Sequence, residues 1–358
     1  MTKWTRRTVA AAAVIALGFA TACSSTVEPT APGSDEPQEG PFTIGISNGF
    51  VGSEYRTQMI SVIEESAAEY QEEGQLEDLV MENADTDVNG QIQQIRNLIA
   101  ADVDAIIVDP NSGSALDAVF TEATDQGIKV YAIDQAVTAE SVTNVGIDQA
   151  ELGRVNAEWL AEKVGDGGKI VAVNGISGNP ANEARWGAAE EVFNEAGVEV
   201  LTTADGGWDQ AQGQQAMTDL LATYPDIDGV FTQDGMAQGV LRALEAANKQ
   251  NDIITTGEAR VGFMRMWEAQ EDSFESIGVV NPPGTGATAL HLAMAELNGQ
   301  EIDPANLTDG HNLILDLEPA ITNENFDEAW AEYQDQPDTY VVDSVLSRDE
   351  VAALLKSE

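Results

Sequence analysis

From Phe42 onward, short apolar runs alternate with segments whose apolar residues recur at helical spacing. The stretch Asp102–Gln135 shows the unit. Ala105–Val108 is rich in β-branched residues, which suits a strand buried on both faces. Asp109-Pro110-Asn111-Ser112-Gly113-Ser114 breaks it, and Ser112 or Ser114 can cap the next helix. Ala115, Leu116, Val119, Phe120 and Ala123 then follow a helical period, Gly127 ends it, and Lys129–Ile133 is a second apolar strand. A right-handed crossover puts the carboxyl ends of both strands on one edge, so Asp109 and Asp134 share a rim. Open α/β sheets bind ligands at that rim. The alternative is that both acids only end strands and cap helices.

The same alternation continues. Strands are expected at Thr43–Ser47, around Leu79–Met81 and near Val142–Ile147. Helices are expected at Tyr55–Tyr70 and Val88–Ala101. A second series starts near Asp148. Its helices are expected at Leu152–Val164, Glu183–Ala196, Gln210–Ala222, Gln238–Ala247 and Phe263–Gln270. Its strands are expected at Lys169–Val173, Glu199–Thr202, Gly229–Thr232, Ile253–Thr256 and Ser276–Val280. Helix Thr285–Leu297, strand Leu313–Leu317, helix Phe326–Tyr333 and an acidic, partly apolar tail at Thr339–Leu355 follow. Two such series predict an α/β protein of two similar lobes, each a doubly wound parallel sheet covered by helices. The first lobe is expected to comprise residues 42–147 and 281–312, the second 148–280 and 313–358.

The amino terminus differs in kind. Lys3, Arg6 and Arg7 precede the apolar run Val9–Ala22, which is short for a membrane span and ends at Ala20-Thr21-Ala22-Cys23. This resembles a bacterial lipoprotein signal whose Cys23 is acylated after cleavage, although Ala20 stands where Leu is usual. Ordinary secretion with a free thiol is the alternative. Cys23 is the single cysteine, so no internal disulfide is possible. Residues 24–41 are rich in Ser, Thr, Pro, Gly and acids, and read as a disordered tether. Localisation is therefore expected to be extracytoplasmic, on the cell membrane through a lipid anchor.

Charge narrows the partners. With 62 Asp and Glu against 16 Lys and Arg, the 358-residue chain carries a formal charge of −46. Such a surface repels nucleic acid and phosphate-rich partners. Enzyme signatures are weak. His291 and His311 lack a second ligand at metal spacing, and Gly168-Lys169 lacks the rest of a phosphate loop. Gly175-Ile176-Ser177-Gly178 falls one residue short of a nucleophile elbow. Gly284-Thr285-Gly286-Ala287-Thr288-Ala289 fits a relaxed dinucleotide fingerprint, but follows most of the βα units; it reads as the helix start where the chain re-enters the first lobe. No cofactor, metal or catalytic residue is expected. A dehydrogenase built on Gly284 and Gly286 is the enzyme alternative.

Several ordered segments carry a family resemblance. They are Thr43-Ile44-Gly45-Ile46-Ser47 with Tyr55-Arg56, Val103–Pro110, Val130–Asp134, Asn144–Asp148 with Gly153, Asn182–Arg185, Trp208-Asp209, and Phe231–Ala237. From Phe42 to Leu317 the chain resembles the sugar-binding family of extracytoplasmic solute-binding proteins that serve ABC importers, closest to its ribose and galactofuranose branch. The resemblance implies a two-lobed clamp that closes about a hinge on a small neutral carbohydrate: a pentose, a furanose sugar or a polyol. It implies an ABC permease and ATPase complex as partners, and a monomer. A ligand-binding receptor feeding a membrane signalling protein is the alternative function.

The chemistry fits the residue types. Aromatic rings pack on the C–H faces of a sugar, while carboxylates, amides and guanidinium forks take its hydroxyls. The resemblance places Ser53, Tyr55 and Arg56 in the first loop, and Asp109, Asp134 and Gln135 on the first-lobe rim. Asn182, Glu183, Arg185, Trp208, Asp234 and Glu258 fall in the second lobe, and Asn281 after its last strand. Gln135 stands where an Arg is usual, and Gly257-Glu258-Ala259 where Gly-Phe-Asp is usual. Both departures bear on ligand identity. Plainer roles remain open, with Trp208 as core filler and Tyr55 and Arg56 as surface at a helix start.

Overall fold

The computed structural model describes residues 40–270 and 274–357. The lipobox, Cys23 and nearly all of the expected tether lie outside the described residues.

The first lobe opens with β1 (Phe42–Asn48), α1 (Glu54–Glu72), β2 (Leu76–Asn83), α2 (Val88–Ala100), β3 (Ala105–Asp109), α3 (Asp117–Thr124), β4 (Lys129–Ile133) and β5 (Thr143–Ile147). The second contains α4 (Gln149–Val164), β6 (Lys169–Asn174), α5 (Pro180–Glu195), β7 (Glu199–Asp205), α6 (Gln210–Thr223), β8 (Gly229–Thr232), α7 (Ala237–Ala246), β9 (Ile254–Glu258), α8 (Val261–Glu268) and β10 (Ser276–Val279). The chain then returns through α9 (Thr285–Leu297) and β11 (Asn312–Leu315) to the first sheet, and crosses again to β12 (Ile321–Thr322) and α10 (Phe326–Tyr333). A short helix, α11 (Arg348–Ala352), ends the fold.

The first sheet runs β11-β5-β4-β3-β1-β2 and is parallel throughout. The second runs β12-β10-β9-β8-β6-β7, with only the edge strand β12 antiparallel. Parallel strands need crossover helices on both faces, and that explains the near-continuous burial of β3 and of residues 170–174 in β6. One face of the first sheet packs Met59, Ile63 and Ala67 of α1 with Leu290, Ala293 and Met294 of α9. The other packs Ile95 and Leu98 of α2 with Val119, Phe120 and Ala123 of α3. In the Gly284–Ala289 stretch, α9 starts beside α1, and a Cβ on Gly286 would come 2.6 Å from Ile63. Its glycine therefore serves helix packing rather than a dinucleotide.

Two details differ from the sequence expectation. The sequence pattern places the strand at residue 313 in the second lobe, but β11 pairs with β5 and extends the first sheet. The pattern places the tail there as well. Its first part does run along the second lobe, where Val342 N–H donates to Ala259 O at 2.8 Å. α11 then seats on α9 of the first lobe, with Arg348 paired to Glu73 at 2.7 Å and lying 3.8 Å over the Tyr70 ring. Both are long-range pairings that local pattern does not specify.

Candidate ligand-binding site

In each sheet the order of strands reverses once, between β1 and β3 in the first and between β6 and β8 in the second. Loops leaving the strands there diverge and leave a crevice at the carboxyl edge. The two crevices contribute to one narrow cavity with a water-accessible volume of about 20 Å³. Ser53, Tyr55, Arg56 and Asp134 form the first-lobe wall. Ala181, Arg185, Trp208, Asp234, Gly235 and Arg260 form the second, and Asn281 comes from the crossing after β10.

The first wall is built at the start of α1. Ser53 caps the helix by accepting from Arg56 N–H at 3.2 Å, which sets Tyr55 and Arg56 in the first turn. The Arg56 guanidinium is buried. It donates to Asn48 Oδ1 at 3.3 Å, pairs with Asp109 and lies 3.8 Å from Asp134. Burial lowers its pKa, against the opposing pull of Asp134. Asp134 also accepts from Gln149 Nε2 at 3.0 Å and from Asn281 Nδ2 at 3.2 Å. Its φ of 62° lies in the left-handed region, which Asp tolerates better than most residues. Tyr55 is buried, and its hydroxyl donates to Pro282 O at 3.4 Å.

The second wall answers with its own charges. Arg185 donates to Gln149 Oε1 at 2.7 Å and lies 3.9 Å from Asp234. Asn281 Nδ2 also approaches Asp234 at 3.5 Å, so this amide spans the two aspartates. Arg260, wholly buried, lies 3.4 Å from Asp234 and 3.2 Å from Glu258, and pairs with Glu54 across the cleft. Burial pushes Glu258 up to about 7 despite the pull of Arg260. Trp208 sits at φ 56°, unusual for a bulky residue. Its indole N–H is buried with no hydrogen-bond partner among the described residues. Gly175 makes room for that ring, because a Cβ there would come 2.1 Å from Trp208 Nε1.

Of the residues expected to bind, Ser53, Tyr55, Arg56, Asp134, Arg185, Trp208, Asp234 and Asn281 line this cavity. Five others do not. Asp109 lies behind the wall, holding Arg56 and accepting from Gln135 Nε2 at 3.0 Å. Gln135 is thereby turned away from the cavity and lines a neighbouring groove. Asn182 accepts from Gly175 N–H at 2.8 Å and so fixes the loop that receives Trp208. Glu183 is exposed and accepts from Gly178 N–H at 2.7 Å. Glu258 supports Arg260 from behind. Sequence reasoning missed Arg260, Gln149 and Glu54. The signal for Arg260 was a basic residue two positions past the end of β9, in a chain poor in them.

A family model described as a periplasmic binding protein domain matches residues 44–301. The chain belongs to this family. Within it, the ribose import binding protein of Bacillus subtilis is 28% identical over 254 residues, covering 70% of this chain and 81% of that one. The xylitol-binding protein of Mycolicibacterium smegmatis is 28% identical over 331 residues, covering 90% and 86%. A solute-binding protein of an ABC transporter from Bacillus halodurans, solved with bound myo-inositol, superposes with a TM-score of 0.71 at 26% identity, covering 83% and 99%. These periplasmic binding proteins are not enzymes, and the dehydrogenase alternative falls with them. Among the described residues no helix is long and apolar enough to cross a membrane, and no cluster of His, Cys, Asp or Glu could hold a metal ion.

Proposed function

We propose that this protein captures a small neutral carbohydrate or polyol in the cavity and delivers it to an ABC permease, tethered to the membrane through Cys23. One observation carries the reading. Three guanidinium groups meet the cavity, and each is already matched by protein carboxylates or amides. An anion would face Asp134 and Asp234, and a cation would face Arg56, Arg185 and Arg260. A hydroxyl both donates and accepts, so it can insert between a carboxylate and a guanidinium without leaving either unpaired. Trp208 lines the cavity and supplies an aromatic ring for the C–H face of such a ligand. The ribose, xylitol and myo-inositol named for the relatives are all neutral polyhydroxylated molecules.

Calorimetry against D-ribose, D-allose, xylitol and myo-inositol tests the reading. At least one should bind well below millimolar; if none binds tighter than about 1 mM, equivalent to roughly −4 kcal/mol, the reading fails. Incorporation of labelled palmitate that disappears in Cys23→Ala tests the anchor. Uptake by vesicles carrying the permease, dependent on added protein, tests delivery.

A further inference from the structure

Arg260 has three carboxylate partners, and they are not equivalent. Asp234 and Glu258 belong to its own lobe and hold the guanidinium whether or not the lobes meet. Glu54 belongs to the other lobe. It opens α1, one residue before Tyr55 and Arg56 of the first-lobe wall, while Arg260 lines the second. Parting the walls to admit a ligand therefore parts this pair. The two members also differ in exposure: the Arg260 side chain is 1% exposed and that of Glu54 35%. A fixed, buried cation thus meets a carboxylate that reaches in from the rim. Glu258, pushed up to about 7 mainly by burial, carries a proton part of the time near neutral pH, which leaves the Arg260 charge less compensated within its own lobe.

We propose that Glu54 and Arg260 latch the two lobes at the rim of the cavity, and that Glu54 is a positioning residue that slows ligand release without touching the ligand. This rests on the reading of the cavity as a carbohydrate or polyol site. The pair holds the closed clamp, with or without ligand, and must break before a bound ligand can leave, so it acts chiefly on dissociation. Glu54 faces solvent, so salt weakens the latch.

The test compares wild type, Glu54→Gln and Glu54→Asp as full-length chains. D-ribose, xylitol and myo-inositol are the probes, followed by stopped-flow tryptophan fluorescence. Glu54→Gln should dissociate about 2- to 5-fold faster, with association changed less than about twofold, as befits a partly exposed pair. Glu54→Asp should recover part of the loss. Raising NaCl from about 0.05 to about 1 M should speed wild-type release toward the variant's rate and leave the variant unchanged. Small-angle scattering supplies an arm that needs no ligand, since Glu54→Gln should have the larger radius of gyration. If wild type binds none of the probes, the proposed function fails and scattering alone decides the latch. Release rates and scattering identical to wild type in Glu54→Gln would overturn it.

Discussion

Asp134→Asn is the sharpest perturbation of the cavity. Asp134 sits at φ 62°, where Asn is tolerated as well as Asp, so the substitution adds no backbone strain that Ala would bring. The amide oxygen can still accept from Gln149 and Asn281, which now reach Asp134 Oδ1 at 3.0 and 3.2 Å. The other oxygen becomes an NH2 facing the Arg56 guanidinium, now 3.8 Å away. That position loses its charge and its ability to accept from a ligand hydroxyl. A charge-assisted hydrogen bond contributes about 1.5–3 kcal/mol, so affinity should fall about 10- to 150-fold. Arg56 keeps Asp109 and Asn48, so the fold should survive with a modest drop in melting temperature. Calorimetry with the best-binding polyol, paired with a thermal melt, measures both. A dissociation constant within about twofold of wild type, alongside a lowered melting temperature, would show that Asp134 only supports Arg56.

Three further outcomes are expected. Gly175→Ala places a Cβ against the Trp208 indole and should weaken ligand binding by at least about 1 kcal/mol while far-ultraviolet circular dichroism stays unchanged, as titration calorimetry would show. The raised pKa of Glu258 means the folded state holds this proton more tightly than the unfolded state. Its stabilising contribution is complete below about 4.5 and is lost as pH rises through about 7. Urea unfolding should therefore show the stability of wild type relative to Glu258→Gln declining between those values, by up to about 3 kcal/mol; parallel pH profiles would refute it. His291 is lowered to about 4 by burial and by Arg348, so its contribution is present above pH 6.5 and lost as pH falls through about 4. The acid limb of the stability profile should flatten in His291→Gln, a change that also removes the 3.0 Å contact between Tyr70 Oη and Nδ1.

The strand ends were legible because parallel strands buried on both faces read as uninterrupted apolar runs, as Ala105–Val108 does before Asp109. A polar residue closing such a run falls on the rim, which is why Asp134 could be picked out from the pattern, whereas Asp234 and Asn281 came from the family resemblance. Which rim residue faces the ligand and which stands behind it depends on side-chain partners far away in the chain. Asp109 is one position short of the cavity because Arg56, from α1, covers it. The resemblance pointed to Glu258, but Arg260 two positions on carries the wall, since α8 starts there and brings the guanidinium inward. Similarly, nothing local in residues 339–355 states that their apolar side chains divide between lobes, Val342 packing in the second and Val351 and Leu355 in the first.

The placement of arginine makes a last argument about selectivity. The chain holds 62 acids and only 16 Lys and Arg, yet Arg56, Arg185 and Arg260 are all nearly fully buried at one cavity. A surface field is screened within about 8 Å at physiological salt, so the acidic exterior alone cannot decide what enters. Inside the cavity screening is weak, and the desolvated carboxylates there set the terms. The resemblance expected an arginine directly after Asp134. Gln135 stands there instead and spends its amide on Asp109. The cation beside Asp134 comes from Arg56, which also pairs with Asp109, so neither aspartate is left as an unmatched buried charge. The present set, with each guanidinium already answered, is suited to a ligand that brings hydroxyls and no charge of its own.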